Sequence, residues 1–137
     1  MDASHLKSVD LFASLSDDQR RRLAQWADEI DVDTGHHLIR QDGFGYEFFV
    51  ILSGTAEVMD GEDHLADVVA GDFVGEIALT EGVRRSASVR ATAPMRLIVM
   101  GRTEFLSMAS QMPSVAEQIR SRIAERLENN RSAAPAD

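Results

Sequence analysis

Between Asp33 and Met100 the chain never runs far without a glycine: Gly35, Gly43, Gly45, Gly54, Gly61, Gly71, Gly75 and Gly82 divide it into short segments. Glycine is costly inside a helix and permissive in reversals, so this spacing excludes long helices there and demands tight turns. The segments between the glycines are of β type. His37 to Ile39, Phe48 to Leu52, Thr55 to Met59, Leu65 to Val69, Ala87 to Ala91 and Arg96 to Met100 are the expected strands, and Asp60-Gly61 signals a hairpin. Many short strands punctuated in this way read as a barrel or jelly roll.

Helical patterns flank this region. Leu11, Phe12 and Leu15 open the chain, and Ser16 with Gln19 has the spacing of a capping box. Leu23, Trp26, Ala27 and Ile30 follow at i, i+3, i+4 and i+7, which predicts one apolar stripe and leaves Arg20, Arg21, Arg22 and Gln25 mostly solvated. The three arginines sit among Asp17, Asp18, Asp28 and Glu29, so they read as a solvated helix surface rather than a nucleic-acid patch. After Gly101, Thr103 is placed to cap a short helix carrying Phe105 and Leu106, and Ser114 to Glu117 repeats the capping-box spacing behind Pro113. Val115, Ile119, Ile123 and Leu127, with Ala116 and Ala124 beside them, give the last helix a face able to lie over a barrel or to pair with a second copy. The small, polar, proline-containing stretch from Ser132 to Asp137 is expected to be a disordered tail, which leaves residues 1–131 as the folded domain.

Composition excludes several function classes. A chain of 137 residues suits one domain with a real core. Without cysteine there is no disulfide framework, thiolate metal site or cysteine nucleophile. No stretch approaches the ~20 apolar residues that cross a bilayer, and no secretory leader opens the sequence, so a soluble, cytoplasmic protein without membrane contact is expected. Fourteen basic against 23 acidic side chains give a net charge of -9, which forfeits counterion release and argues against direct DNA binding. A local pocket can still hold a small anion.

Catalytic and metal patterns are weak. His36 and His37 are adjacent, so on a strand they point to opposite faces, and neither His5 nor His64 is a spaced partner. Ser14, Ser53, Ser86 and Ser88 lack a nucleophile elbow and a histidine–carboxylate arrangement, so no enzyme and no cofactor are expected. Met108 and Met112 read as core filling.

The segment from Ala70 to Val89 carries the chemistry. Gly75 permits close backbone approach, Glu76 to Leu79 can form a helical turn with free N–H groups aimed at an anion, and Gly82 permits a reversal. The arginine that follows offers a planar fork to phosphate, while Glu76 can accept a hydrogen bond from a sugar hydroxyl. Blander roles exist for both: Arg85 in a surface ion pair with Glu81, and Glu76 as a helix N-terminal carboxylate contributing ~0.3 to 1 kcal/mol.

This segment resembles the phosphate-binding cassette of cyclic nucleotide-binding domains, the family of bacterial catabolite activators and protein kinase A regulatory subunits. That cassette reads Gly-Glu-(Leu or Ile)-Ala-Leu, a short spacer, then Arg-x-Ala-(Thr or Ser)-Val, and Gly75 to Leu79 and Arg85 to Val89 match it at the same separation. The proline often found before the arginine is replaced by Arg84, but Ala87 and Val89 fit the pattern only when Arg85 is the phosphate ligand. Leu11 to Ser16, Phe49 to Gly54 and Gly71-Asp72-Phe73 extend the resemblance over roughly residues 6–130.

The resemblance implies an eight-stranded antiparallel jelly-roll barrel with N-terminal helices and C-terminal B and C helices. It implies a cyclic nucleotide site at Gly75, Glu76, Ile77, Ala78, Arg85, Ser86 and Ala87. Arg85 and the N–H groups of Ala78 and Ser86 would hold the cyclic phosphate, and Glu76 with Gly75 the ribose 2′-hydroxyl. In bacterial sensors of this type the ligand is typically cAMP, and polar residues near the end of the C helix reach the base; by count from Pro113 these are Asn130 and Arg131. In members that prefer cGMP, a threonine hydroxyl after the arginine meets the guanine amino group, a role open to Ser86.

Three classes are therefore in play. The first is a cAMP or cGMP sensor whose C helix regulates an effector protein or attached output domain. The second is a degenerate jelly roll used only for protein contacts, and the third a cupin-like metalloenzyme. Gly75, Glu76 and Arg85 favour the first over the second, and four scattered histidines disfavour the third.

Overall fold

The computed structural model describes residues 1–43, 47–75 and 87–133, with side chains through residue 125. Two 3₁₀ turns, Ala3–Leu6 and Asp10–Phe12, precede helix α1 at Asp17–Trp26. Strands follow at β1 Asp28–Val32, β2 His37–Ile39, β3 Glu47–Ser53, β4 Ala56–Asp60, β5 Asp63–Val68, β6 Phe73–Val74, β7 Ser88–Ala91 and β8 Met95–Gly101. Helices α2, Arg102–Gln111, and α3, Pro113–Ala133, complete the described chain.

The strands form two four-stranded antiparallel sheets, ordered β1-β8-β3-β6 and β2-β7-β4-β5. The middle strands of the first sheet, β3 and β8, are buried on both faces from Phe48 to Ile51 and from Leu97 to Met100, which explains the apolar runs there. Phe48 and Val50 on β3, Phe73 on β6 and Ile98 and Met100 on β8 turn toward the helices, where they meet Leu23, Phe105, Met108, Met112, Val115 and Ile119. Their alternating neighbours Phe49, Ile51, Val74, Leu97 and Val99 turn the other way, against Leu38, Ile39, Ala56, Val68, Val89 and Ala91 of the second sheet. Helices, first sheet and second sheet thus stack as three layers. Met108 and Met112 are core residues, as their sequence context suggested.

Local signals placed several boundaries. The Ser16 hydroxyl accepts from the Gln19 N–H and the Gln19 side chain accepts from the Ser16 N–H, a complete capping box. Asp60 pairs with Asp63 across a two-residue loop, with Gly61 at φ +60 in the position where such hairpins need positive φ.

Other expectations are corrected. Helix α1 ends at Trp26, and Ile30 lies in β1 opposite Leu97 rather than on the helical stripe. Ile30 and Val32 both pack against the inter-sheet core, so a period of 2 takes over where a period of 3.6 was expected. Arg20 is not solvated: its guanidinium donates to the carbonyls of Phe12 and Ala13 and to Asp17, with the side chain only 12% exposed. Helix α2 begins after Gly101 without a side-chain cap, so Thr103 lies inside it. Helix α3 begins at Pro113, where the missing N–H costs nothing, so Ser114 is inside it as well. Ala124 is exposed, and the backbone of α3 runs through Ala133, two residues into the expected tail; residues 134–137 lie outside the described residues.

Candidate functional site

The chain leaves the first sheet at Gly75 and joins the second at Ser88. Strand β6 is an edge strand held by two register pairs, Phe49 with Val74 and Val50 with Phe73. Gly75 follows it at φ +100, a conformation that L side chains rarely adopt, so the glycine is required for the chain to leave β6 in this direction. On the far side Ala87 is half-buried in a bend, and β7 lies between β2 and β4. The segment singled out for its chemistry therefore connects an edge of one sheet to the interior of the other.

Both flanks are braced. On the β6 side, Gly71 at φ +94 donates to the Ile51 carbonyl at 2.8 Å, and the Ile51 N–H donates to the Asp72 carbonyl at 2.9 Å. Asp72 closes the turn on itself, its N–H donating to the Val69 carbonyl and its carboxylate accepting from the Val69 N–H. On the β7 side, the Ser88 hydroxyl accepts from the Gln41 N–H at 2.9 Å. The Gln41 amide is engaged at both ends, donating to the Asp60 carboxylate and accepting from the Gly61 N–H, each at 2.8 Å. It ties the segment after β2 to the β4–β5 hairpin. Two register pairs further along, Arg90 on β7 bonds Glu57, its register partner on β4.

The expected site residues divide accordingly. Gly75 and Ala87 stand at the two ends of the segment. Glu76, Ile77, Ala78, Arg85 and Ser86 lie outside the described residues, as do Arg84, the alternative phosphate ligand, and Glu81. Asn130 and Arg131 belong to the helical backbone of α3, and their side chains lie outside the description. Sequence reasoning missed Gln41, which no spacing motif marks, and Arg122 on α3, which looks in sequence like its solvated neighbour Arg120. Among the described residues no group of three His, Cys, Asp or Glu is placed to hold a metal ion, and no helix is long and apolar enough to cross a membrane.

The sequence profile named Cyclic nucleotide-binding domain matches residues 29–112, more than half of the chain. The chain belongs to the cyclic nucleotide-binding domain family. It is 31% identical over 112 residues to a cAMP-dependent protein kinase regulatory subunit of Emericella nidulans, covering 80% of this chain and 27% of that protein. It is 32% identical over 117 residues to the cGMP-dependent protein kinase egl-4 of Caenorhabditis briggsae, covering 80% and 16%. The chain thus spans about a quarter or less of the length of these relatives. Its fold is similar to the regulatory domain of Toxoplasma gondii PKA with cAMP, at a TM-score of 0.76 and 24% identity, over 90% of this chain and 48% of that one.

Proposed function

We propose that this chain binds a 3′,5′-cyclic nucleotide in the segment between Gly75 and Ala87, with cAMP preferred over cGMP, and that it is a regulatory binding module rather than a catalyst. The observation that carries the reading is the match of Gly75 to Leu79 and Arg85 to Val89 to the family's cassette, in a segment whose two ends the fold braces. In this reading Arg85 meets the cyclic phosphate with a charged fork, the N–H groups of Ala78 and Ser86 share that charge, and Glu76 with Gly75 takes the ribose hydroxyl. The two sheets would close as the eight-stranded jelly roll of the family. Helix α3 would bring Asn130 and Arg131 to the base and pass the ligand's arrival to an effector protein, an attached output domain or a second copy.

Relatives named for cAMP and for cGMP lie at similar identity, so the base is decided by chemistry at the site. Calorimetric titration with each nucleotide tests the proposal: saturable heat with cAMP and a weaker response to cGMP are expected. No heat with either ligand rejects it and favours a module used only for protein contacts. Ser86→Ala sorts the role of that hydroxyl, since loss confined to cGMP assigns it to the guanine and equal losses assign it to the phosphate.

A further inference from the structure

Helix α3 packs its apolar residues Val115 and Ile119 on the first sheet, and among its described residues the half-buried Arg122 adds a polar contact to the turn that leads into β6. Arg122 Nη1 donates to the Gly71 carbonyl at 3.0 Å, across 51 residues of sequence. The same guanidinium stands 5.6 Å from the centroid of the Phe73 ring, close enough for a cation–π contact on a ring that has no solvent exposure. Phe73 in turn meets Phe48 at 5.8 Å, and Phe48 meets Phe105 of α2 at 4.7 Å, so the contact continues through the core to the preceding helix. The other polar side-chain contacts of α3 among the described residues are different in kind. Arg120 bonds Glu117 one turn away, and Gln118 reaches Ser14 at 3.4 Å, outside the sheets.

The carbonyl that Arg122 holds belongs to a stitched unit. The N–H of Gly71, the N–H and carboxylate of Asp72 and the Asp72 carbonyl are all engaged within the turn or with β3. Such a turn moves as one piece, and only Phe73 and Val74 separate it from Gly75. A shift of α3 that pulls on Gly71 and Phe73 is therefore delivered to Gly75, and a rearrangement at Gly75 is delivered back to Arg122. From Arg122 the helix runs on to Ala133, a lever of roughly 16 Å at 1.5 Å per residue.

We infer that Arg122 is a positioning residue that couples helix α3 to the turn leading into Gly75, and through it the ligand segment to the helix. The ligand half of this statement rests on the proposed function; the mechanical half does not. Because Arg122 ties the Gly71 turn to the helix, docking of α3 pre-organises the ligand segment, and loosening the contact weakens binding. The expected loss for Arg122→Met, which keeps the apolar stem, is about tenfold in cAMP affinity, within the ordinary range of coupling between sites.

Hydrogen exchange without ligand and cAMP titration test this in the full chain. In Arg122→Met, exchange should quicken both at residues 71–75 and at residues 119–133, while the amides of Val50 and Ile98 keep their protection. Arg122→Lys, with a point charge and no fork, should fall between the two. Faster exchange confined to the helix, no change, or equal loosening at Val50 and Ile98 overturns the coupling and leaves Arg122 a packing residue. If exchange changes as expected and the variant binds cAMP like the parent, the turn does not pre-organise the ligand segment and the ligand half is overturned. If the parent binds no cyclic nucleotide, the proposed function falls, and the exchange result still decides the role of Arg122.

Discussion

The Gln41 N–H and the Ser88 hydroxyl meet at 2.9 Å although 47 residues separate them in sequence. Ser88 is a member of the Arg85-x-Ala87-Ser88-Val89 pattern, and its oxygen is turned to the segment that follows β2. The first residue of β7 is thereby pinned to a loop whose other bonds run to Asp60 and Gly61. Ser88→Ala removes the acceptor and should cost about 1 kcal/mol, the usual net value of such a bond. Urea unfolding would report this as a lower midpoint at constant slope. An unchanged midpoint would show that water replaces the hydroxyl.

Arg85→Ala should weaken cAMP binding by roughly 30-fold, the equivalent of about 2 kcal/mol for the loss of a charge-assisted contact to phosphate. Arg84→Ala should change affinity much less. Titration calorimetry on the two variants separates them, and the reverse order would move the phosphate to Arg84.

Gly54→Ala should be far more damaging than Gly61→Ala, although both glycines have positive φ. A Cβ at Gly54 would stand 2.4 Å from the Pro94 carbonyl oxygen and 2.9 Å from Met95 Cα, whereas at Gly61 it would meet nothing within 4 Å. The obstacle at Gly54 is backbone, which cannot rotate away. Losses of at least about 3 kcal/mol against about 1 are expected, since backbone strain alone accounts for ~1 to 3. Chemical denaturation of the two variants measures the difference.

Two histidines should give opposite slopes of stability against pH. Burial, helped by Arg40, Arg90 and His36, holds the His37 imidazole below the usual 6.5. Its unfolded form then binds more protons than the folded form between the depressed value and 6.5, so this group makes stability rise with pH in that window. His64 is raised above 6.5 by its hydrogen bond to Asp67, 2.8 Å away, so its contribution is present below 6.5 and is lost as pH climbs through the raised value. Titration of the imidazole resonances should place the two midpoints on opposite sides of 6.5, and His37→Gln should flatten the rise below it.

With a net charge of -9 the chain should show no salt-sensitive binding to duplex DNA at low ionic strength, because it is repelled by the phosphates and displaces few of the counterions condensed on them. Fluorescence anisotropy of a labelled duplex checks this, and saturable binding that weakens steeply with salt would contradict it.

Much of the architecture was legible in short-range pattern. The capping box at Ser16 and Gln19, the Asp60-Gly61 hairpin and six strand cores depend on neighbours within a few residues, and such signals act before any long-range contact forms. The match to the family's cassette was legible for a related reason: its residue types stand at fixed spacing along one stretch of chain. Strand β1 was misread because Ile30 satisfies a helical spacing from Leu23 and Trp26 as well as a strand alternation with Val32. The pairing of Ile30 with Leu97 decided between them. Strand β6 was missed because two residues carry no periodicity, and its existence rests on β3.

By itself the sequence determined where glycine permits a reversal of the chain, which runs are apolar enough to be buried on both faces, and which stretch matches the family's cassette. Only the tertiary structure decided that Gln41 braces Ser88, that Arg20 is largely covered and donates to the carbonyls of Phe12 and Ala13, and that Arg122 rather than Arg120 reaches the turn before β6. Each of these three is a polar side chain or amide whose local sequence fits a solvated surface equally well. Its role is set by which distant backbone group is left needing a partner once the layers have packed, and that is a property of the assembled fold.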